Sequence, residues 1–85
     1  MTTGIGYHTH DIPKGVFGEL SKITEELHEL IDADAQDARL MVLLELSDIY
    51  GAIEGYLAKH HPSINMEDLK YMSSITQRAF RNGHR

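Results

Sequence analysis

The chain has 85 residues, 41% hydrophobic and 25% charged, which is globular rather than disordered and leaves room for one domain with a core that is marginal alone. It contains no cysteine, which excludes disulfide staples and thiolate metal sites. A formal charge of −5, from 13 acidic and 8 basic residues, argues against a general nucleic-acid binder. The absence of any apolar run of about 18 residues, and of a basic-then-apolar leader, predicts a soluble, cytoplasmic protein with no membrane partner.

Residues 1–14 carry Gly4, Gly6 and Pro13 and no helical period, so they read as an extended or mobile arm before a single helical domain over 15–85. His8, His10 and Asp11 could hold a metal there, but one H-x-H in an arm reads as solvated in preference. From Gly15 onward, Val16, Leu20, Ile23, Leu27, Leu30 and Ile31 recur at steps of three and four and predict a helix over about 16–33. Asp32-Ala-Asp-Ala-Gln-Asp37 reads as a helix end, a turn and a new start, with Asp34 or Asp37 as N-cap.

A second helix is predicted over about 37–60. Its apolar residues, from Leu40 through Leu46 to Ile49, Ile53, Tyr56 and Leu57, cover nearly every side, which is the pattern of a central helix buried on several faces. Gly51 and Gly55 lie four apart and would let another helix approach closely. Lys59, His60 and His61 suit a helix C-terminus, and Pro62 ends it. Asn65 is the expected cap of a third helix over about 66–82, with Met66, Leu69, Met72, Ile75 and Ala79 on its apolar face and Gly83 as its stop. The fold class is all-α: an antiparallel helical hairpin plus a third helix, completed into a four-helix-type bundle by oligomerisation, because two neighbours cannot cover the second helix.

The acids are unevenly placed. Residues 19–54 hold ten acids against Lys22 and Arg39, while 70–85 hold Lys70, Arg78, Arg81 and Arg85 and no acid. Glu26 and Glu29 share a helix face, as do Glu45 and Asp48. In an antiparallel hairpin, residues at one height have a constant sum of numbers, and both Glu29 with Glu45 and Glu26 with Asp48 sum to 74. The implied midpoint is residue 37, in the predicted turn. Four carboxylates therefore converge within about one helical turn. Glu45 and Asp48 also interrupt the most apolar stretch, where unpaired carboxylates are costly. The alternative is a solvated acidic face; the matched register favours a hard divalent cation, Mg²⁺ or Mn²⁺, in an all-oxygen site.

Glu25-Glu26-x-x-Glu29, fifteen intervening residues, then Glu45-x-x-Asp48 resembles the EExxE…ExxD signature of MazG-type nucleotide pyrophosphohydrolases, members of the all-α NTP pyrophosphatase superfamily. The similarity runs from about Lys14 to the C-terminus and includes Gly18-Glu19-Leu20-Ser21-Lys22-Ile23 and Ala79-Phe80-x-x-Gly83. The chain departs from the family in being short and in lacking a clear helix before the first motif. The resemblance implies Mg²⁺-dependent hydrolysis of a nucleoside triphosphate to monophosphate and pyrophosphate, by a homo-oligomer. It implies Glu26, Glu29, Glu45 and Asp48 as metal ligands. Glu25, about 100° from Glu26 around an ideal helix, is left to orient water or support the ligands. Phosphoribosyl-ATP hydrolysis, or a non-catalytic nucleotide-binding or dimerisation role, are the alternatives.

Lys70, Ser74, Arg78, Arg81 and Arg85 form a basic ridge on the third helix. Lys70 and Arg78, with Lys22, are the expected phosphate contacts; the ridge also reads as a solvated face balancing the acids. His28 points off the Glu26/Glu29 face, His60-His61 reads as a helix-end feature, and Tyr50, Tyr56 and Tyr71 read as core before base-stacking groups. No P-loop-type glycine run exists, and no nucleophile setting for covalent catalysis is evident.

Overall fold

The computed structural model describes residues 8–81, the side chains of Ala79 and Phe80 excepted. Three helices follow in order: α1 over Leu20–Ala35, α2 over Arg39–His60 and α3 over Met66–Arg81. No strand occurs among the described residues, in line with the all-α reading. Residues 1–7 of the arm, the expected last residue of the third helix at 82, the Gly83 stop and Arg85 lie outside the described residues, as does the side chain of Ala79.

α1 begins four residues later than its apolar period suggests. Gly18 has φ +93°, a left-handed conformation that a helix cannot contain and that glycine adopts without steric cost. Residues 16–19 instead form a turn closed by the Glu19 N–H on the Val16 carbonyl at 2.9 Å. Glu19 is the N-cap by backbone position, but its side chain makes no cap bond. Its carboxylate is taken by Lys59 and by His60, the latter at 3.3 Å, at the far end of α2. That pairing ties the entry of α1 to the exit of α2.

The turn between α1 and α2 corrects the capping expectation. Neither Asp34 nor Asp37 is the N-cap of α2; that position is Ala38, with no side-chain cap bond. The residues close α1 instead. The Ala38 N–H bonds the Ala33 carbonyl at 3.1 Å and the Asp37 N–H bonds the Asp34 carbonyl at 3.0 Å, which is the Schellman pattern. Asp37 occupies its left-handed position at φ 57°, where glycine is the usual residue. The entry to α3 follows the sequence closely: the Asp68 N–H donates to Asn65 Oδ1 and the Asn65 N–H to Asp68 Oδ2, both at 2.9 Å, a reciprocal capping pair.

α1 and α2 pack against each other, and α3 packs closely on neither. The radius of gyration is 15.0 Å, against roughly 12 Å for a compact chain of this length. The described apolar residues that become buried are Ala33, Ala52 and Leu57, fewer than the four buried acids Glu25, Glu26, Asp32 and Glu45. The second helix is not covered on several faces within one chain. Leu40, Leu43, Leu44, Leu46 and Tyr50 are all exposed, as are Tyr71, Met72 and Ile75 of α3. Among the described residues, no helix is long and apolar enough to cross a membrane.

Candidate metal centre

The three-residue link makes α1 and α2 an antiparallel hairpin, and the hairpin brings the two acidic pairs to one height. Glu26, Glu29, Glu45 and Asp48 each offer a carboxylate oxygen, and those oxygens lie within 4.8 Å of one another. Glu26 and Glu45 are buried, Glu29 is half-buried and Asp48 opens to solvent. Glu26 Oε1 and Glu45 Oε1 are buried with no hydrogen-bond partner among the described residues. An unpartnered buried carboxylate oxygen is expensive, and two of them at one small volume suit a cation.

The electrostatics agree. Burial, then the neighbouring charge of Glu26 and the contact with Glu45, push the Glu29 carboxyl up to about 8. Glu45 is raised by burial and by Asp48 and Glu26, against the opposing pull of Glu29 and His8. Asp48 is raised by burial and then by Glu26, with Glu45 and Lys22 opposing. Crowded carboxylates hold protons until a stronger positive charge replaces them. Four oxygen donors with no thiolate or amide suit a hard divalent ion such as Mg²⁺ or Mn²⁺.

Glu25 lies beside this group and is occupied differently. It accepts from the Gly15 N–H at 2.8 Å and from Lys22 Nζ at 3.1 Å, and Lys14 stands 3.8 Å away. Burial works to raise its pKa, but the Gly15 and Lys22 bonds, with a further one from Glu29, outweigh it and hold the group below the usual carboxylate range. Lys22 bridges Glu25 and Glu26, at 3.1 Å from each. Its ammonium is kept charged against burial by those two acids.

A cavity of about 410 Å³ opens beside the acids, lined by Phe17, Lys22, Glu26, Ser47, Asp48, Gly51 and Ala52. Its two glycine neighbours behave differently from the helix contact expected of Gly51 and Gly55. A Cβ on Gly51 would meet nothing within 4 Å. Gly55 is covered by the Phe17 ring rather than by a helix, so closely that a Cβ there would collide with it. The lining combines the polar Lys22, Glu26, Ser47 and Asp48 with Phe17, Gly51 and Ala52.

Lys70 and Arg78 are not brought to this cavity. They lie exposed on α3, and Lys70 lines a separate surface depression with Glu67, Tyr71 and Ser74. His28 is exposed, off the carboxylate face as expected. Tyr50 and Tyr71 are exposed rather than core. Tyr56 packs on His60 and His61, with ring centroids 4.5 and 6.0 Å away, a helix-end cluster.

The arm, read from the sequence as solvated, reaches the carboxylates. His8 and His10 both contact Asp32, but among the described residues His8 groups as a possible metal ligand with Glu29 and Glu45 and not with His10 and Asp11. His10 is exposed, with Nδ1 2.8 Å from Asp32 Oδ1. His8 is nearly buried and reaches inward, its Nε2 3.4 Å from Glu45 Oε2 and 3.7 Å from Glu29 Oε1. The anchor for both is Asp32, which also accepts the Thr9 N–H at 2.7 Å and the Thr9 hydroxyl. The Thr9 hydroxyl bond first, then those from His10, the Thr9 N–H and His8, hold Asp32 far below the usual carboxylate range despite its burial. Asp32 lies three residues beyond Glu29, so the i, i+3 spacing that selected Glu26 and Glu29 would have extended to it. No such period reaches His8, which lies outside any helix.

No family model matches the chain, and neither a curated protein nor a solved structure matches it.

Proposed function

We propose that the chain is a metal-dependent nucleoside triphosphate pyrophosphohydrolase, releasing pyrophosphate and a nucleoside monophosphate. The observation that carries this reading is the convergence of four carboxylates from two helices, with two buried unpartnered oxygens, beside an open cavity that Glu26 and Asp48 line. The resemblance of Glu25-Glu26-x-x-Glu29 and Glu45-x-x-Asp48 to the MazG-type signature supplies the reaction class.

Glu26, Glu29, Glu45 and Asp48 would hold Mg²⁺ or Mn²⁺. When bound, such an ion neutralises phosphate oxygens and acidifies a water. The chain's own residues do the rest. Lys22 presents a permanent positive charge on the cavity wall to the polyphosphate, and Glu25 positions it from behind. Phe17 offers an aromatic face for a base, and Gly51 leaves the floor open. Phosphoryl transfer asks a protein mainly for such positioning and charge neutralisation.

The active form in this reading is a homo-oligomer. Leu40, Leu43, Leu44 and Leu46 are exposed on α2, and burying one leucine side chain contributes about 1.5–3 kcal/mol. The unpacked apolar face of α3, with Met72 and Ile75, supplies further surface for a second copy. In an assembly of that kind the basic ridge of Lys70 and Arg78 could meet the cavity of a neighbour.

Incubation with a panel of NTPs, dNTPs and phosphoribosyl-ATP plus Mg²⁺ or Mn²⁺ tests the activity by pyrophosphate release. Glu26→Gln, Glu29→Gln, Glu45→Gln and Asp48→Asn should each lose most turnover, by more than the roughly 10–100-fold typical of a supporting partner of a ligand. Glu54→Gln, an exposed acid outside the group, should retain it. No pyrophosphate from any substrate, with nucleotide still raising the melting temperature, would make the chain a binding module.

A further inference from the structure

Building on the metal-centre reading above, we propose that His8 completes a second cation subsite with Glu29 and Glu45, a mixed nitrogen–oxygen site that takes a borderline divalent transition ion such as Fe²⁺, Co²⁺ or Zn²⁺ in preference to Mg²⁺. His8, Glu29 and Glu45 offer ligand atoms within 4.8 Å of one another. Donors held around one ion by bonds of about 2.1 Å stand roughly 3.0–3.4 Å apart, and the His8 Nε2 separations of 3.4 and 3.7 Å from Glu45 and Glu29 approach that range. Glu45 is the most buried large side chain described, 1% exposed, and its Oε1 has no partner among the described residues.

The orientation of the imidazole carries the rest. Asp32 Oδ2 stands 3.0 Å from His8 Nδ1. Asp32 already accepts from the Thr9 N–H and the Thr9 hydroxyl, so its Oδ2 faces His8 Nδ1 as an acceptor, an arrangement that places the ring proton on Nδ1. The Nε2 lone pair is then directed to the side of Glu29 and Glu45. A carboxylate behind a histidine, fixing tautomer and ring plane, is the usual support of a metal-bound imidazole. Thr9 and His10 fix Asp32 in turn, so the clasp that seats His8 is built from three consecutive arm residues on one buried acid. Imidazole nitrogen favours transition ions, whereas Mg²⁺ prefers oxygen. Glu29 and Glu45 belong to both donor groups, which places the mixed subsite directly beside the all-oxygen one.

The test is Co²⁺ and Mg²⁺ binding by calorimetry on protein without a polyhistidine tag, together with proton NMR of the Co²⁺-loaded wild-type chain. The expected result is a hyperfine-shifted imidazole resonance in wild type that disappears in His8→Gln. His8→Ala should weaken Co²⁺ binding at least 10-fold and change Mg²⁺ affinity less than 2-fold, and Asp32→Asn should weaken Co²⁺ roughly 10–100-fold. Bound Co²⁺ with no shifted imidazole signal, and unchanged Co²⁺ affinity in His8→Ala, overturns the subsite and leaves the four-carboxylate reading standing. Mg²⁺ affinity unaffected by Glu26→Gln and Asp48→Asn, with the imidazole signal present, overturns that reading and leaves the subsite. Failure of both ions to bind overturns both. The wild-type spectrum decides the matter even where a variant folds poorly.

Discussion

Glu29 on α1 and Glu45 on α2 bring carboxylate oxygens within 4.8 Å of each other across the hairpin, beside Glu26 and Asp48. Burial first, then the adjacent Glu26, push the Glu29 carboxyl up to about 8, so it keeps its proton well above the ordinary glutamate range. The folded chain without metal therefore binds more protons than the unfolded chain between the ordinary glutamate range and pH 8. Stability must fall as pH rises through that window, and the raised Glu45 and Asp48 act in the same direction. Asp32 and Glu25, both lowered, contribute stability that is lost only on acidification below the usual carboxylate range, outside this window. The expected outcome is a melting temperature that declines from pH 5 to pH 8.5 in chelator and much less in millimolar Mg²⁺ or Mn²⁺, since a cation displaces the proton. Identical pH profiles with and without metal would contradict the centre.

The same repulsion predicts the effect of removing a charge. Glu45→Gln keeps the shape of the side chain while relieving Glu26, Glu29 and Asp48. In chelator it should raise stability at pH 8, by about 1 kcal/mol if one pKa unit of strain is relieved. In saturating metal the order should reverse, with wild type the more stable. Chemical denaturation with and without Mg²⁺ checks both signs. A purely structural acid would show one sign in both conditions.

Gly51 and Gly55 separate cavity from fold. Gly51→Ala gains roughly 0.8–1 kcal/mol of helix propensity and meets nothing, so it should stabilise the chain. Gly51→Leu should extend into the 410 Å³ cavity and raise KM with the helices intact. Gly55→Ala should displace the Phe17 ring, which lies at the exposed end of a turn and can swing, and so should disturb substrate binding more than folding. Denaturation midpoints and KM for the best nucleotide distinguish these outcomes.

How much of this was legible beforehand follows from what sequence periodicity encodes. The register of Glu26, Glu29, Glu45 and Asp48 could be counted because both pairs lie in regular helices joined by a short turn, where residue number maps onto height. Asn65 and Asp68 were readable because a capping pair is local. Gly18 escaped because the apolar period runs through Val16 and Leu20 on either side of it, and only the backbone angle reveals the break. His8 escaped because an arm outside any helix has no register, so its position depends on Thr9 and Asp32, more than twenty residues apart in sequence. The exposure of Leu40, Leu43 and Leu44 shows the other limit. An all-round apolar pattern predicts burial, but it does not say that the covering surface lies within the same chain.

Those leucines supply a test of assembly. A single chain whose described buried apolar residues are Ala33, Ala52 and Leu57 has little core to hold it, and small domains commonly obtain the rest by association. Light scattering at micromolar concentration should give a dimer or larger, and the melting temperature should rise with protein concentration. Leu43→Glu should shift the chain toward monomer and lower its stability. A stable 9.6 kDa monomer with a concentration-independent melting temperature would refute the oligomer.

Asp37 offers the most local prediction. It holds the left-handed position of the turn that joins the two carboxylate-bearing helices, at φ 57°. Its carboxylate is strongly exposed and, among the described residues, pairs with Arg39 at 3.7 Å, a contact that contributes little in water. A residue with a Cβ in this conformation costs roughly 1–2 kcal/mol, and glycine avoids it, although glycine also loses more chain entropy on folding. Asp37→Gly should therefore raise stability, by up to about 1 kcal/mol, while Asp37→Val should lower it, because a β-branched side chain is poorly accommodated there. Both changes leave the four ligands untouched, so metal affinity per folded molecule should stay constant. Denaturation in chelator and calorimetry with Mg²⁺ measure the two quantities separately. If Asp37→Gly instead abolished metal binding in a folded chain, the height match between Glu29 and Glu45 would depend on the turn residue itself rather than on the packing of α1 against α2.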